Sequence, residues 1–321
     1  MFNKLITALS ALVCLSAASE NGKTLEFDPI DITLNGKVMS LYATRFSWST
    51  PKVSGDKAEI DGNGRMYFST MPNNTAITDP DQIFKVNLLG GSIEYDIDLS
   101  GSECGCNTGI YMVQMPTYTQ DGSLNKTDGY YYCGGNVVGA FCPEFDIMEA
   151  NKYAFRSTIH TCDDPDENGW IADCERGGVC PLDQYSWKDQ FGDKGSKIDT
   201  NKPFSVKAEF HTERDELNTL TGYTITMTQG NNTFVLDTDD GTSKKCDEAG
   251  KMGGNMVDGM ALVFSFWGTD TADRMSWLTH GVCEGGCGKD TAWSSVSNIR
   301  ITELFRPDDD DTQDDVQFLV E

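Results

Sequence analysis

The sequence predicts an all-β fold, a sandwich of two sheets in a single domain. Helical periodicity is scarce, several runs alternate strictly between apolar and polar residues, and turns rich in Asn and Asp, with 32 glycines, separate them. The first clear run, Ser92-Ile93-Glu94-Tyr95-Asp96-Ile97-Asp98-Leu99, has the period of a strand with one buried face. Lys207 to His211, Gly222 to Met227 and Phe234 to Leu236 are further strands on the same argument. Gly259 to Trp267 is almost continuously apolar, as expected of a strand buried on both faces. Ser297 to Leu304 closes the series. No linker or internal repeat interrupts the chain, so one domain is expected from about residue 20 to 306.

The two ends read differently. Lys4, the apolar run Leu5 to Leu15 and the small residues Ser16 to Ser19 resemble a secretory leader over residues 1–19. A buried helix is the alternative; the run is too short to span a bilayer. Export agrees with the cysteines. Eleven become ten once Cys14 leaves with the leader, and an even number in an exported chain predicts up to five disulfides. The close pairs Cys104/Cys106 and Cys283/Cys287 also admit a zinc site, but three histidines and an oxidising destination favour disulfides. Residues 307–321 form an acidic tail expected to be solvated; a calcium-binding tail is the alternative, without the glycine turn and closing glutamate of a defined calcium loop.

A formal net charge of −25 excludes nucleic acid as a partner and argues against anionic membranes. A secreted, extracellular monomer is expected. Asn73, Asn125 and Asn231 each begin an N-glycosylation triplet, which places them in surface loops.

The chemistry concentrates in Glu144-Phe145-Asp146-Ile147-Met148-Glu149. Side chains alternate faces along a strand, so Glu144 and Asp146 share one face and Phe145 and Ile147 the other. Glu149 is out of phase, and a one-residue bulge near Ile147-Met148 returns it to the carboxylate face. The glutamates then stand roughly 13 Å apart along the backbone, at about 3.3 Å per residue. Leaning together, they could close to about 5–5.5 Å, the separation retaining glycosidases use. A surface strand with solvated acids is the plain alternative.

The neighbours of this ladder carry a resemblance. Cys142 and Pro143 precede it, Ala150-Asn151 follow, and His160 stands eleven residues beyond Glu149, just before Thr161-Cys162. Leu88 to Ser100, Cys104 to Tyr111, Arg176-Gly177-Gly178-Val179-Cys180 with Asp183 and Trp187, and Gly259 to Trp267 followed by Met275-Ser276-Trp277-Leu278 occur in matching order. Together these resemble glycoside hydrolase family 7, fungal-type cellulases with a bent, concanavalin-like jelly-roll sandwich.

The resemblance implies Glu144 as nucleophile and Glu149 as acid/base. Asp146 lies between them, able to hold the nucleophile and, by its charge, to keep Glu149 protonated. It also implies sugar contacts from Asn107, Tyr111, His160, Arg176, Trp267 and Trp277, with no metal and no cofactor. Aromatic platforms suit the flat apolar faces of sugars. The alternatives are a core role for Trp267, a satisfied sandwich partner for His160 and a surface salt bridge for Arg176. Departures from the pattern are Met148 in place of Trp, expected to reshape the groove floor, Phe145 in place of Met, Tyr185 in place of Cys, and Gly268-Thr269-Asp270 in place of W-D-D. The chain is shorter than the usual module, which implies an open groove and internal cleavage of a β-glucan. The function implied is a retaining endo-β-1,4-glucanase. A β-1,3- or mixed-linkage glucanase and a catalytically silent glucan-binding relative are the alternatives.

Overall fold

The computed structural model describes residues 28–43, 51–70, 79–126, 131–183, 189–213, 218–238, 246–288 and 291–304. The leader, Asn73, Tyr185, Trp187 and the acidic tail lie outside them. The first strands are β1 (Asp28–Leu34), β2 (Lys37–Ala43), β3 (Lys52–Ser54), β4 (Lys57–Asp61), β5 (Gly64–Ser69) and β6 (Lys85–Val86). Next come β7 (Ser92–Asp98), β8 (Cys106–Val113), β9 (Glu144–Ala150), β10 (Phe155–His160), β11 (Val179–Asp183), β12 (Phe191–Gly192) and β13 (Ile198–Asp199). The chain continues through β14 (Phe204–His211), β15 (Gly222–Gln229), β16 (Asn232–Asp237), helix α1 (Gly250–Val257), β17 (Met260–Gly268), helix α2 (Ser276–Thr279) and β18 (Trp293–Thr302).

Two layers result. One runs β11-β10-β9-β8-β17-β5, and the other β2-β1-β18-β7-β14-β15-β16; the pairing of β5 with β2 joins them. The strands read from sequence are present, and alternation decides which layer face each side chain joins. Ile93, Tyr95 and Ile97 of β7, with Phe204, Val206, Ala208 and Phe210 of β14, point inward. They meet Phe145, Ile147, Met148 and Ala150 of β9 in one continuous core. Phe145 packs edge-on against Phe210 and Tyr223, with ring centroids 5.1 and 4.9 Å away. β17 is buried on both faces because a second apolar cluster covers its outer side, with Ala261 and Val263 beside Tyr67, Tyr111, Tyr131 and Tyr132.

Met148 corrects one expectation. It is fully buried between the sheets and takes no part in the groove floor. The reason is the bulge itself, which turns Ile147 and Met148 inward together.

All ten cysteines beyond Cys14 pair: 104–283, 106–287, 133–142, 162–174 and 180–246. Both close pairs thus join distant segments as disulfides. The first two link the start of β8 to the segment after α2, closing loops of 179 and 181 residues and removing much freedom from the unfolded chain. Asn231 stands exposed in the β15–β16 turn. Asn125 corrects the surface-loop expectation: it is 6% exposed, and its Nδ2 donates to the Gly139 carbonyl oxygen at 2.7 Å.

Candidate active site

Register shows how the ladder becomes a site. Opposite β10, Arg156 pairs with Glu149 and Thr158 with Asp146, so three residues of β9 span two of β10. Opposite β8, Ile110 pairs with Met148 and Tyr111 with Asp146, skipping Ile147. The extra residue therefore lies at Ile147, where the sequence required it. Glu144, Asp146 and Glu149 consequently share the outer face of the layer.

The same face collects their neighbours in rows. Across the layer run Arg156, Glu149, Gly109, Ser265 and Arg65; the next row is Thr158, Asp146, Tyr111, Val263 and Tyr67. Gly109 keeps the floor open beside Glu149, because a Cβ there would lie 2.7 Å from Ser265 Oγ. A cavity of about 360 Å³ stands over these rows, lined by the three carboxyls with Arg65, Asn107 and Trp267 among others. A second, of about 420 Å³, holds Arg156, His160, Arg176 and Trp277. Glu149 and Trp267 line both, so Glu149 stands at their junction.

Each carboxyl has its own partners. Glu144 Oε2 accepts from the Gly135 N–H at 2.7 Å. That donor sits in the 133–142 loop, closed by its disulfide, and Gly135 has no room for a side chain: a Cβ would lie 2.5 Å from His160 Cβ. Glu149 Oε1 accepts from Asn107 Nδ2 at 2.9 Å, and Asn107 Oδ1 is buried without a hydrogen-bond partner among the described residues. Asp146 Oδ2 lies 3.0 Å from His160 Nε2, and His160 Nδ1 is 2.8 Å from the Glu175 carbonyl oxygen. Both ring nitrogens of His160 are thus engaged within the protein, and its contact is with Asp146, not Glu149.

Burial dominates the electrostatics. It pushes Glu149 up to about 8, helped by the Asp146 charge and opposed by His160, the Asn107 donor and Arg156. Burial, then Asp146, likewise raises Glu144, while His160 and the Gly135 N–H oppose the rise. Asp146 is raised by burial and held back by Arg156. Burial thus raises all three carboxyls, and repulsion by Asp146 adds to the rise at both glutamates, so that the gain or loss of a proton by one bears on the others.

The remaining expected residues divide. Trp267 is 37% exposed and stacks on Trp277, with ring centroids 6.4 Å apart and planes 20° apart. Tyr111 is buried in the floor, its hydroxyl 3.0 Å from that of Tyr132. Arg176 reaches the second cavity from an exposed position, 3.4 Å from Asp173 and with its guanidinium carbon 5.2 Å from the Phe141 ring centroid. The reading from sequence did not include Arg65, whose guanidinium carbon sits 3.5 Å from the Tyr132 ring centroid, nor Tyr132, Gly135 and Arg156. Strand register was the signal for Arg156. The substituted Gly268 also finds its cause: a Cβ there would lie 2.2 Å from Cys287 Cβ, so the Cys106–Cys287 disulfide fills the space.

Fold and site together define a curved β-sandwich with a groove floored by a bulged, three-carboxyl strand, an arrangement suited to paired-carboxyl chemistry on a sugar chain. The glycosyl hydrolase family 7 model matches residues 127–238, the segment that carries all three carboxyls, His160 and Arg176. The Hypocrea jecorina endoglucanase EG-1 is 25% identical over 290 residues, covering 81% of this chain and 58% of that protein. Endoglucanase 1 of Humicola insolens is 28% identical over 268 residues, covering 68% and 65%. Among solved structures, an endoglucanase I complexed with cellobiose superposes with a TM-score of 0.67 at 18% identity, covering 90% of this chain and 99% of that one. A family 7 cellobiohydrolase from Daphnia pulex gives 0.63 at 18%, with the same coverage. The chain is thus similar to glycosyl hydrolase family 7 in the segment around the carboxyls and to family 7 cellulases in fold. It spans under three fifths of the length of the Hypocrea relative.

Proposed function

We propose that this protein is a secreted, retaining endo-β-1,4-glucanase acting on cellulose-type β-glucan. The observation that carries the reading is the bulge at Ile147, which puts Glu144 and Glu149 on one groove face with different partners. Glu144, positioned by the Gly135 N–H, which opposes the rise that burial imposes on its carboxyl, attacks the anomeric carbon in its ionised form and makes a glycosyl-enzyme. Glu149, raised by burial, donates its proton to the departing oxygen and afterwards takes one from water. Asn107 Oδ1, buried and unpartnered, accepts from a sugar hydroxyl at this junction. The half-open Trp267 face provides a platform for a sugar ring.

Relatives named endoglucanases support internal cleavage of β-1,4 chains. Five disulfides suit an oxidising, extracellular destination. The altered turn after Trp267 is accounted for by the disulfide beneath Gly268, which weakens the case for a silent binding protein. The deciding experiment uses cellulosic, lichenan and laminarin substrates with Glu144→Gln as the control. Wild type should release reducing ends from the cellulosic glucan with the β-anomer formed first by NMR, and the variant should release none. Turnover unchanged in Glu144→Gln, or first formation of the α-anomer, would sink the assignment.

A further inference from the structure

We propose that Arg156 is a positioning residue for the leaving-group side of the cleft, tying β10, the strand beside that of Glu149, to the two walls of the second cavity and setting where Trp277 stands. The proposal rests on the glucanase reading above. Arg156 lies directly across from Glu149 in the β9–β10 register, and so on the carboxylate face. Its Nε donates to Thr158 Oγ1 at 2.9 Å, its Nη1 to the Trp277 carbonyl oxygen at 3.3 Å, and its Nη2 to the Gly177 carbonyl oxygen at 3.4 Å. One planar fork therefore joins β10, the α2 turn and the loop that carries Arg176.

The walls need such a tie. Trp277 rides on a helix of only four residues with no side-chain cap, too short to fix a large ring by its own hydrogen bonds. Gly177 belongs to the loop between the 162–174 disulfide and β11. A guanidinium reaches two carbonyls in fixed geometry, which an ammonium cannot reproduce. Its three acceptors are neutral oxygens, so the positive charge also acts on the carboxyls nearby. The groups around Glu149 are Glu144 and Asp146 from its own strand, His160 and Arg156 from β10, Asn107 from β8 and, along the same row, Arg65 from β5; Arg156 is among the groups that lower the carboxyl of Glu149, and it lowers that of Asp146.

Two substrates separate this role from general structural support. A cello-oligosaccharide needs both a proton from Glu149 and a sugar seated against Trp277. Dinitrophenyl β-cellobioside needs neither, because its leaving group departs unprotonated and places no sugar there. In Arg156→Gln the oligosaccharide-to-aryl ratio of kcat/KM should fall about tenfold or more. The basic limb of the oligosaccharide profile should move to higher pH, since a group that lowers Glu149 is gone. Arg156→Lys keeps the charge and should leave the limb in place while the ratio still falls. Equal losses on both substrates, or an unchanged ratio in a folded variant, overturn the proposal. Should Arg156→Gln not fold, the ratio in Arg156→Lys decides. A wild type inactive on both substrates would instead defeat the glucanase reading.

Discussion

His160 stands between two oxygens, Asp146 Oδ2 at 3.0 Å from its Nε2 and the Glu175 carbonyl at 2.8 Å from its Nδ1. A carbonyl oxygen only accepts, so Nδ1 must carry a hydrogen. Nε2 then either accepts from a protonated Asp146 or, as part of an imidazolium, donates to an ionised one. A proton bridges His160 and Asp146 in both cases, and the histidine serves to orient the aspartate between the two glutamates.

Asp146→Asn tests the electrostatic half of this arrangement. The amide Nδ2–H can donate to Nε2 of a neutral imidazole, so the fold should be retained. The negative charge that raises Glu149 is removed, so Glu149 should lose its proton at lower pH. The basic limb of kcat/KM should accordingly shift down, with maximal activity lower by roughly tenfold or more. A limb that does not move would show that Asp146 is already neutral throughout the working range.

Gly135→Ala tests the seat of the nucleophile. The added Cβ would lie 2.5 Å from His160 Cβ, so the loop must move and take the N–H away from Glu144. Displacement of a positioned nucleophile by about 1 Å costs on the order of a hundredfold in rate. If Glu144 is the nucleophile, as proposed, its attack precedes every product, and kcat/KM should fall alike for oligosaccharide and activated aryl substrates. A loss confined to the oligosaccharide would place the effect on the leaving-group side.

What the sequence disclosed, and what it hid, follows from the range of the interactions. The alternation in Ser92 to Asp98 and the odd spacing of Glu149 are local, and they predicted β7 and the bulge at Ile147. The carboxyl face was therefore legible. Arg156 was partly legible: Asn151 Oδ1 accepts from the N–H groups of Tyr153 and Ala154, a turn that pairs Ala150 with Phe155 and brings Arg156 opposite Glu149. Arg65 was not, since it reaches the groove only through pairing of β5 with β17, whose residue Ser265 is distant in sequence. Met148 was misplaced because a departure from a family motif was read as a groove feature. Its side of the strand depends on the bulge, which sends it to the core.

Gly268→Asp would restore the acidic residue that the family pattern has after Trp267. Here its Cβ would lie 2.2 Å from Cys287 Cβ and 2.4 Å from Cys287 Sγ, in space that the Cys106–Cys287 disulfide occupies. Overpacking of this kind costs about 1–3 kcal/mol. Thermal unfolding should show a lower midpoint in Gly268→Asp, and weaker sugar binding as the neighbouring Trp267 shifts. An unchanged midpoint would mean that the strand end yields without strain.

The buried carboxyls should also make stability depend on pH in an unusual direction. Unfolded carboxyls titrate near 4, whereas burial raises Glu144 and Glu149 to about 8 and Asp146 to about 7. Between those limits the folded state binds more protons than the unfolded one, so the favourable contribution is complete below pH of about 4 and is lost as pH rises toward 8. Glu144→Gln and Glu149→Gln remove one such group each, while a glutamine oxygen can still accept from the Gly135 N–H or from Asn107. Each variant should therefore melt above wild type at pH 8, by on the order of several degrees, with the advantage shrinking toward pH 4. Because the comparison is between chains at the same pH, titration of groups away from the three carboxyls cancels. Calorimetry at the two pH values is the measurement, and an advantage that is absent, or independent of pH, would show that the carboxyls are ionised in the folded protein without cost.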